Sequence, residues 1–188
     1  MVLCFDEEWM SQGQLDVLAA LAQSTDYLAG EAIEVGTWQG RSAIPVANAI
    51  CPKLLHVVDH WLGDGPESAA AGIGIDPELV KRDNYGIFMA NIAEATEGNV
   101  CVWKMGWREF AAQWEDPIRF LHLDAAHTTQ EVADNITALL PYAVPGAVFA
   151  GDDWNWPTVA AGVRQVFPAD QDVVQVNTQF DKLWWVVL

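Results

Sequence analysis

The stretch Ala32-Ile33-Glu34-Val35-Gly36-Thr37-Trp38-Gln39-Gly40-Arg41-Ser42 decides the fold. Its first four residues form a short, mostly apolar run of strand length. Gly36 follows at once, where a chain leaving a strand can bend sharply and approach another group closely. Gly40 stands where a helix can begin tightly against the sheet, and Arg41 to Ile50 reads as that helix. Strand, glycine turn and helix in this order make one βα unit.

The same alternation continues in both directions. Upstream, Gln12 to Ala29 carries Leu15, Leu18, Ala19, Leu21 and Ala22 at helical spacing. Downstream, strands are expected at Leu54 to Val58, Val100 to Lys104, Ile118 to Leu123 and Ala147 to Ala150. Helices are expected at Pro77 to Ala95, Arg108 to Trp114, Thr129 to Leu140 and Pro157 to Val166. Gly63 to Gly74 has no period and reads as a mobile loop that closes as a lid. Val173 to Val176 and Leu183 to Val187 read as two closing strands joined by a hairpin over Asn177 to Lys182. Alternating strands and helices imply an α/β fold, a three-layer α/β/α sandwich around a mostly parallel sheet. A length of 188 residues suits one domain spanning 1–188.

Composition narrows the partners. Asp and Glu number 26 against 9 Lys and Arg, for a net charge of −17. Such a surface repels nucleic-acid phosphate and anionic membrane, so neither is expected as a partner. Its plainest meaning is solubility. Cys4, Cys51 and Cys101 match no zinc or redox spacing, and each reads as a small apolar filler. The first residues show no signal-peptide pattern, and no apolar run approaches the ~20 residues of a membrane span. A cytoplasmic location is expected.

In a parallel sheet, ligands bind beyond the carboxyl ends of the strands, near the point where strand order reverses. Glu34 with Gly36 and Gly40, then Asp59, Gly106 with Trp107, Asp124 with His127, and Asp152 with Asp153 all fall at those ends. Thr37 and Ser42 add hydroxyls to the first turn. Alone, that turn is also compatible with an ordinary βα connection. Asp59 follows it by about 20 residues, the spacing at which a carboxylate can accept both ribose hydroxyls of a nucleoside. A capping role would explain an isolated Asp equally well. Asp124, Asp152 and Asp153 offer oxygen ligands to a hard divalent ion such as magnesium. Alternatively, Asp152 caps the next helix and Asp153 lines a pocket. His127 has an ordinary pKa of about 6.5, suited to a general base or to a structural role.

Taken together, Glu34 to Ser42 and Asp59 resemble the cofactor-binding motif of class I S-adenosylmethionine-dependent methyltransferases. Leu121-His122-Leu123-Asp124-Ala125-Ala126-His127 and Leu140 to Asp153, with a turn expected at Pro145-Gly146, extend the likeness to the small-molecule O-methyltransferases, including macrocin and related sugar O-methyltransferases. The likeness covers about residues 30 to 165 and implies a Rossmann-like fold with an antiparallel C-terminal strand. It implies S-adenosylmethionine as cofactor, with Glu34, Gly36, Thr37, Gly40 and Ser42 around its methionine portion. Asp59 with His60 would hold its ribose, and Gly106 with Trp107 would approach its adenine. Asp124 would lie near the methionine amino group and the reaction centre. A magnesium ion on Asp124, Asp152 and Asp153 would bind acceptor hydroxyls, with Asp124 and His127 as catalytic groups. The acceptor would be a small molecule such as a sugar or phenol, and a homodimer could complete the pocket.

Two departures bear on this reading. Family members often carry a second acid at the position of Ala126, and Gly-Gly where this chain has Gly146-Ala147. A non-catalytic S-adenosylmethionine-binding subunit and a nicotinamide oxidoreductase therefore stay open as alternatives, though the glycine spacing disfavours the second. The ten tryptophans are expected to be mainly packing anchors. Trp61 and Trp154 flank the candidate acids.

Overall fold

The computed structural model describes residues 3–5, 9–63, 77–125, 127–168, 174–175 and 182–188. Most of the expected loop from Gly63 to Gly74, the hairpin connection before Lys182, and Ala126 lie outside these residues.

The described chain runs α1 (Gln12–Ser24), β1 (Glu31–Val35), α2 (Ala43–Ile50), β2 (Leu55–Asp59), α3 (Pro77–Val80), α4 (Asn84–Ala95) and β3 (Val100–Lys104). It continues through α5 (Trp107–Ala111), β4 (Ile118–Leu123), α6 (Thr129–Leu139), a 3₁₀ turn (Leu140–Tyr142), β5 (Ala143–Gly151), α7 (Pro157–Val166), β6 (Val174–Gln175) and β7 (Trp184–Val187). The strands form a seven-stranded sheet in the order β3-β2-β1-β4-β5-β7-β6. β1 to β5 pair in parallel, and β7 runs antiparallel between β5 and β6. The expected Rossmann-like sandwich with an antiparallel C-terminal strand is therefore present.

Period-two alternation along the strands divides the core between the two faces of the sheet. Ala32, Leu55, Val57 and Phe120 pack with Leu18 of α1, Val46 and Ile50 of α2, and Phe88 and Ile92 of α4. Ile33, Val35, Val58, Leu121 and Leu123 pack with Phe110 of α5, Val132 and Ile136 of α6, and Val159 and Val163 of α7. Strand order reverses between β1 and β4, so the loops after Val35 and Leu123 flank the crevice where α/β ligands bind.

Several expectations shift, each for a local or tertiary reason. α1 stops at Ser24, because the Thr25 hydroxyl and amide both turn back to the Ala22 carbonyl. The helix expected over Pro77 to Ala95 is two helices. The Asp83 carboxylate accepts the Gly86 amide at 2.9 Å and starts the second one. The turn expected at Pro145-Gly146 lies within β5. There Gly146 takes φ +87° and donates its amide to the Leu188 carbonyl at the chain's end. Cys4 and Cys51 are exposed rather than packed as filler. Among the described residues, no helix is long and apolar enough to cross a membrane. Trp61, Trp114, Trp154 and Trp184 are buried and Trp103, Trp107, Trp156 and Trp185 pack against the core, in line with a packing role for most tryptophans.

Candidate active site

The β1 side of the crevice is built from backbone. Gly36 takes φ +85°, and a Cβ placed there would stand 2.3 Å from the Asp124 carbonyl oxygen. Its hydrogen therefore allows the loop after β4 to lie directly against the loop after β1. The next two amides, of Thr37 and Trp38, both donate to Asp59 Oδ2, at 3.0 and 2.9 Å. The Trp61 amide donates to Asp59 Oδ1 at 2.7 Å. One carboxylate at the end of β2 thus straps the glycine turn and its own loop together. Trp61 adds a second tie, its indole N–H donating to the Trp38 carbonyl at 2.6 Å.

The turn closes when the Gly40 amide donates to the Thr37 carbonyl at 2.8 Å. α4 supports it from outside. The Gln39 side-chain amide donates to Asn84, and Asn91 donates to the Gln39 carbonyl. Two polar atoms of this turn, Thr37 Oγ1 and Trp38 Nε1, are buried without a hydrogen-bond partner. Such orphaned groups are uncommon in folded proteins, and a polar ligand satisfies them. A carboxylate also has about four acceptor positions, so Asp59 keeps capacity beyond its three amides. The turn therefore fits a polar, nucleoside-bearing cofactor.

The other expected contributors sit around this turn. Glu34 is fully buried in β1, accepting the Ser42 hydroxyl on Oε1 at 3.0 Å and lying 3.2 Å from His122 Nδ1 through Oε2. Ile33/Leu121 and Glu34/His122 are register pairs of β1 and β4, so the acid and the imidazole share one face. Glu34 and Ser42 therefore brace the turn from beneath. His60 is half-exposed, its Nδ1 accepting the Leu62 amide at 3.0 Å. Gly106 caps α5 in extended conformation with open space where a Cβ would be. Trp107 stacks beneath the Arg108 guanidinium, 4.2 Å from its ring centre.

The β4–β5 side is built from charged side chains. One ligand atom each of Asp124, His127 and Asp153 lies within 4.8 Å of the others. His127 Nε2 is 3.1 Å from Asp153 Oδ2, and its ring lies against Trp156 with centroids 4.9 Å apart. Lys182 Nζ donates to Asp153 Oδ1 at 2.8 Å and stands 3.8 Å from Asp152 Oδ2. Asp152 is buried and turned toward α1, where Gln14 Nε2 donates to its Oδ1 at 3.0 Å. The compact donor set is thus Asp124, His127 and Asp153. Asp152, the remaining member of the expected trio, lines the same cavity and accepts Gln14 on its Oδ1. Two carboxylates and an imidazole at this separation suit a divalent ion.

Burial, with the neighbouring Asp152, Asp153 and Glu34, pushes the Asp124 carboxyl well above the ordinary carboxylate range, against the pull of Lys182. Asp152 is also raised, by burial and by Asp153. Burial would raise Asp153 too, but hydrogen bonds from His127 and Lys182 outweigh it and hold that carboxyl low. Burial pulls Lys182 down, yet Asp152, Asp153 and Asp124 together keep its ammonium above its usual value. Like charges crowded into one place force such a division, one acid ionised and its neighbour protonated more readily.

Gln14 and Lys182 carry no motif, His122 lies in the quoted Leu121–His127 stretch without a role of its own, and none of the three belongs to the expected site. Only His122 left a sequence signal, a polar residue inside an apolar strand, matched by Glu34 in β1.

The profile of a family described as a methyltransferase domain matches residues 33–154, roughly two thirds of the chain. The chain belongs to this methyltransferase family. The matched span begins in β1 and ends just past Asp153, so it contains both sides of the crevice. Solved structures of methyltransferases share the fold. The calicheamicin methyltransferase CalS11 is 14% identical, with a TM-score of 0.73 over 95% of this chain and 80% of its own. The O-methyltransferase TomG from Streptomyces achromogenes, solved with S-adenosylmethionine, is 19% identical, with a TM-score of 0.67 over 95% and 81%. An O-methyltransferase from Bacillus cereus, in complex with S-adenosylhomocysteine, is 17% identical, with a TM-score of 0.60 over 99% and 84%. No curated protein sequence matches this methyltransferase. Membership bears out the expectation of a methyltransferase enzyme.

Proposed function

We propose that this methyltransferase uses S-adenosylmethionine to methylate a hydroxyl group of a small molecule. The observation that carries the reading is the convergence at one strand-order reversal. A glycine turn strapped to Asp59 packs through Gly36 directly against Asp124, the first member of the Asp124–His127–Asp153 group. The names of TomG and the Bacillus cereus protein, which are O-methyltransferases solved with S-adenosylmethionine or S-adenosylhomocysteine, support the cofactor and the acceptor atom.

The cofactor supplies an electrophilic methyl group on a sulfonium. The chain must hold that group, orient an oxygen toward it and remove the hydroxyl proton. Gly36, Thr37 and Gly40 line the methionine portion, with the orphaned Thr37 hydroxyl as a donor. Asp59 and His60 meet the ribose, and Gly106 and Trp107 approach the adenine. Asp124 lies beside the reaction centre. His127, oriented by Asp153, takes the hydroxyl proton on its imidazole. With a divalent ion present, Asp124, His127 and Asp153 would hold it, its charge would lower the pKa of a bound hydroxyl, and His127, then a ligand, would not serve as the base. Asp152 and Gln14 then support Asp153 and its loop.

Titration calorimetry with S-adenosylhomocysteine tests this reading on wild type and Asp59→Ala. Wild type should bind, and the substitution should weaken binding at least roughly tenfold, or ~1.4 kcal/mol. Absence of binding by the wild-type chain would end the cofactor assignment.

A further inference from the structure

The carboxylates after β4 and β5 already have a cation of their own. It comes from the far end of the chain, through sheet register. β5 and β7 pair antiparallel with Gly151 opposite Trp184. Continuing that register by two residues in each strand brings Lys182 opposite Asp153. The Trp154 amide donates to the Lys182 carbonyl at 2.9 Å and clamps the two segments there. Lys182 Nζ then donates to Asp153 Oδ1 at 2.8 Å and stands 3.8 Å from Asp152 Oδ2.

Oδ1 of Asp153 thereby accepts from the ammonium, and Oδ2 lies beside the His127 ring. A metal ion taking Asp153 as a ligand would share one carboxylate with the ammonium. Two cations at so short a range repel strongly where protein replaces water. Asp152, whose other oxygen accepts from Gln14, faces the same ammonium and so shares the conflict. We propose that Lys182 is a tethered counter-cation of the Asp152–Asp153 pair, and that a divalent ion binds Asp124, His127 and Asp153 only by displacing it. The inference rests on the metal reading of the same residues given above. It makes the site partly neutralised by the chain itself, and it makes ion binding a switch in the position of Lys182.

The test uses Mn2+ alone, titrated into the full chain and followed by calorimetry and by electron paramagnetic resonance of the free ion. Lys182→Met should bind Mn2+ at least roughly tenfold more tightly than wild type, whereas Lys182→Arg, which keeps the charge, should stay within about threefold. Adding Asp153→Asn to Lys182→Met should abolish the gain. Equal or weaker Mn2+ binding by Lys182→Met, or none by either chain, would overturn the proposal. Wild-type protein provides a second readout that needs no variant. Saturating Mn2+ should raise the rate at which an amine-acylating reagent modifies Lys182, read by peptide mass spectrometry, and an unchanged rate would also refute displacement. The S-adenosylhomocysteine titration is separate. Its failure would remove the cofactor reading while leaving the competition between Lys182 and metal to be judged by these measurements.

Discussion

The two sides of the crevice are made of different materials. On the β1–β2 side, main-chain amides of Thr37, Trp38 and Trp61 converge on one carboxylate, Asp59. On the β4–β5 side, Asp124, Asp152 and Asp153 are balanced by Lys182 and His127 through their side chains. A backbone-built turn has a shape set by φ angles and survives most side-chain changes outside its glycines. A charge-built cluster has a composition that one substitution can unbalance. The contrast suits the function proposed above, in which one side would hold the cofactor and the other would handle a proton and an acceptor.

That division can be broken most severely at Gly36, where the two sides touch. Gly36→Ala places a methyl group against the Asp124 backbone at a left-handed φ. Overlap and strain together should cost about 3 kcal/mol in chemical denaturation and should remove detectable S-adenosylhomocysteine binding. A stable variant that still binds would mean that the two loops move apart freely. Next in size is Gln14→Ala. Gln14 completes the capping box of α1 with Ser11 and donates to buried Asp152. Its loss should lower stability by about 2 kcal/mol. If the two sides are separable, cofactor-product affinity should change much less than in Asp59→Ala. A comparable drop in both variants would erase the distinction. The smallest effect is expected for Ser42→Ala, which removes one donor to Glu34. About 1 kcal/mol of stability should be lost in urea unfolding, with affinity nearly intact. A large loss of affinity would place the Ser42 hydroxyl on the ligand after all.

How much could be read before folding depends on whether a feature is local or paired. The βα unit at Ala32 to Ser42 was legible, because periodicity and glycine placement act within a dozen residues. Asp59 was legible as a strand-end acid. Its task of strapping the Thr37 and Trp38 amides was not, since that needs the loops after β1 and β2 brought side by side. The break before α4 depends on whether the Asp83 side chain or the helix takes the backbone amide, a contest that hydrophobic spacing does not register.

Alternation of strands and helices, the glycine turn and the row of acids at strand ends are properties of residue order. They determined the fold class and the neighbourhood of the site. Tertiary structure alone decided which acid faces which partner. β1–β4 register put Glu34 beside His122, α1 brought Gln14 to Asp152, and β5–β7 register delivered Lys182 to Asp153. These contacts join residues far apart in the chain, and such pairings are set by how strands align and helices dock rather than by any local pattern.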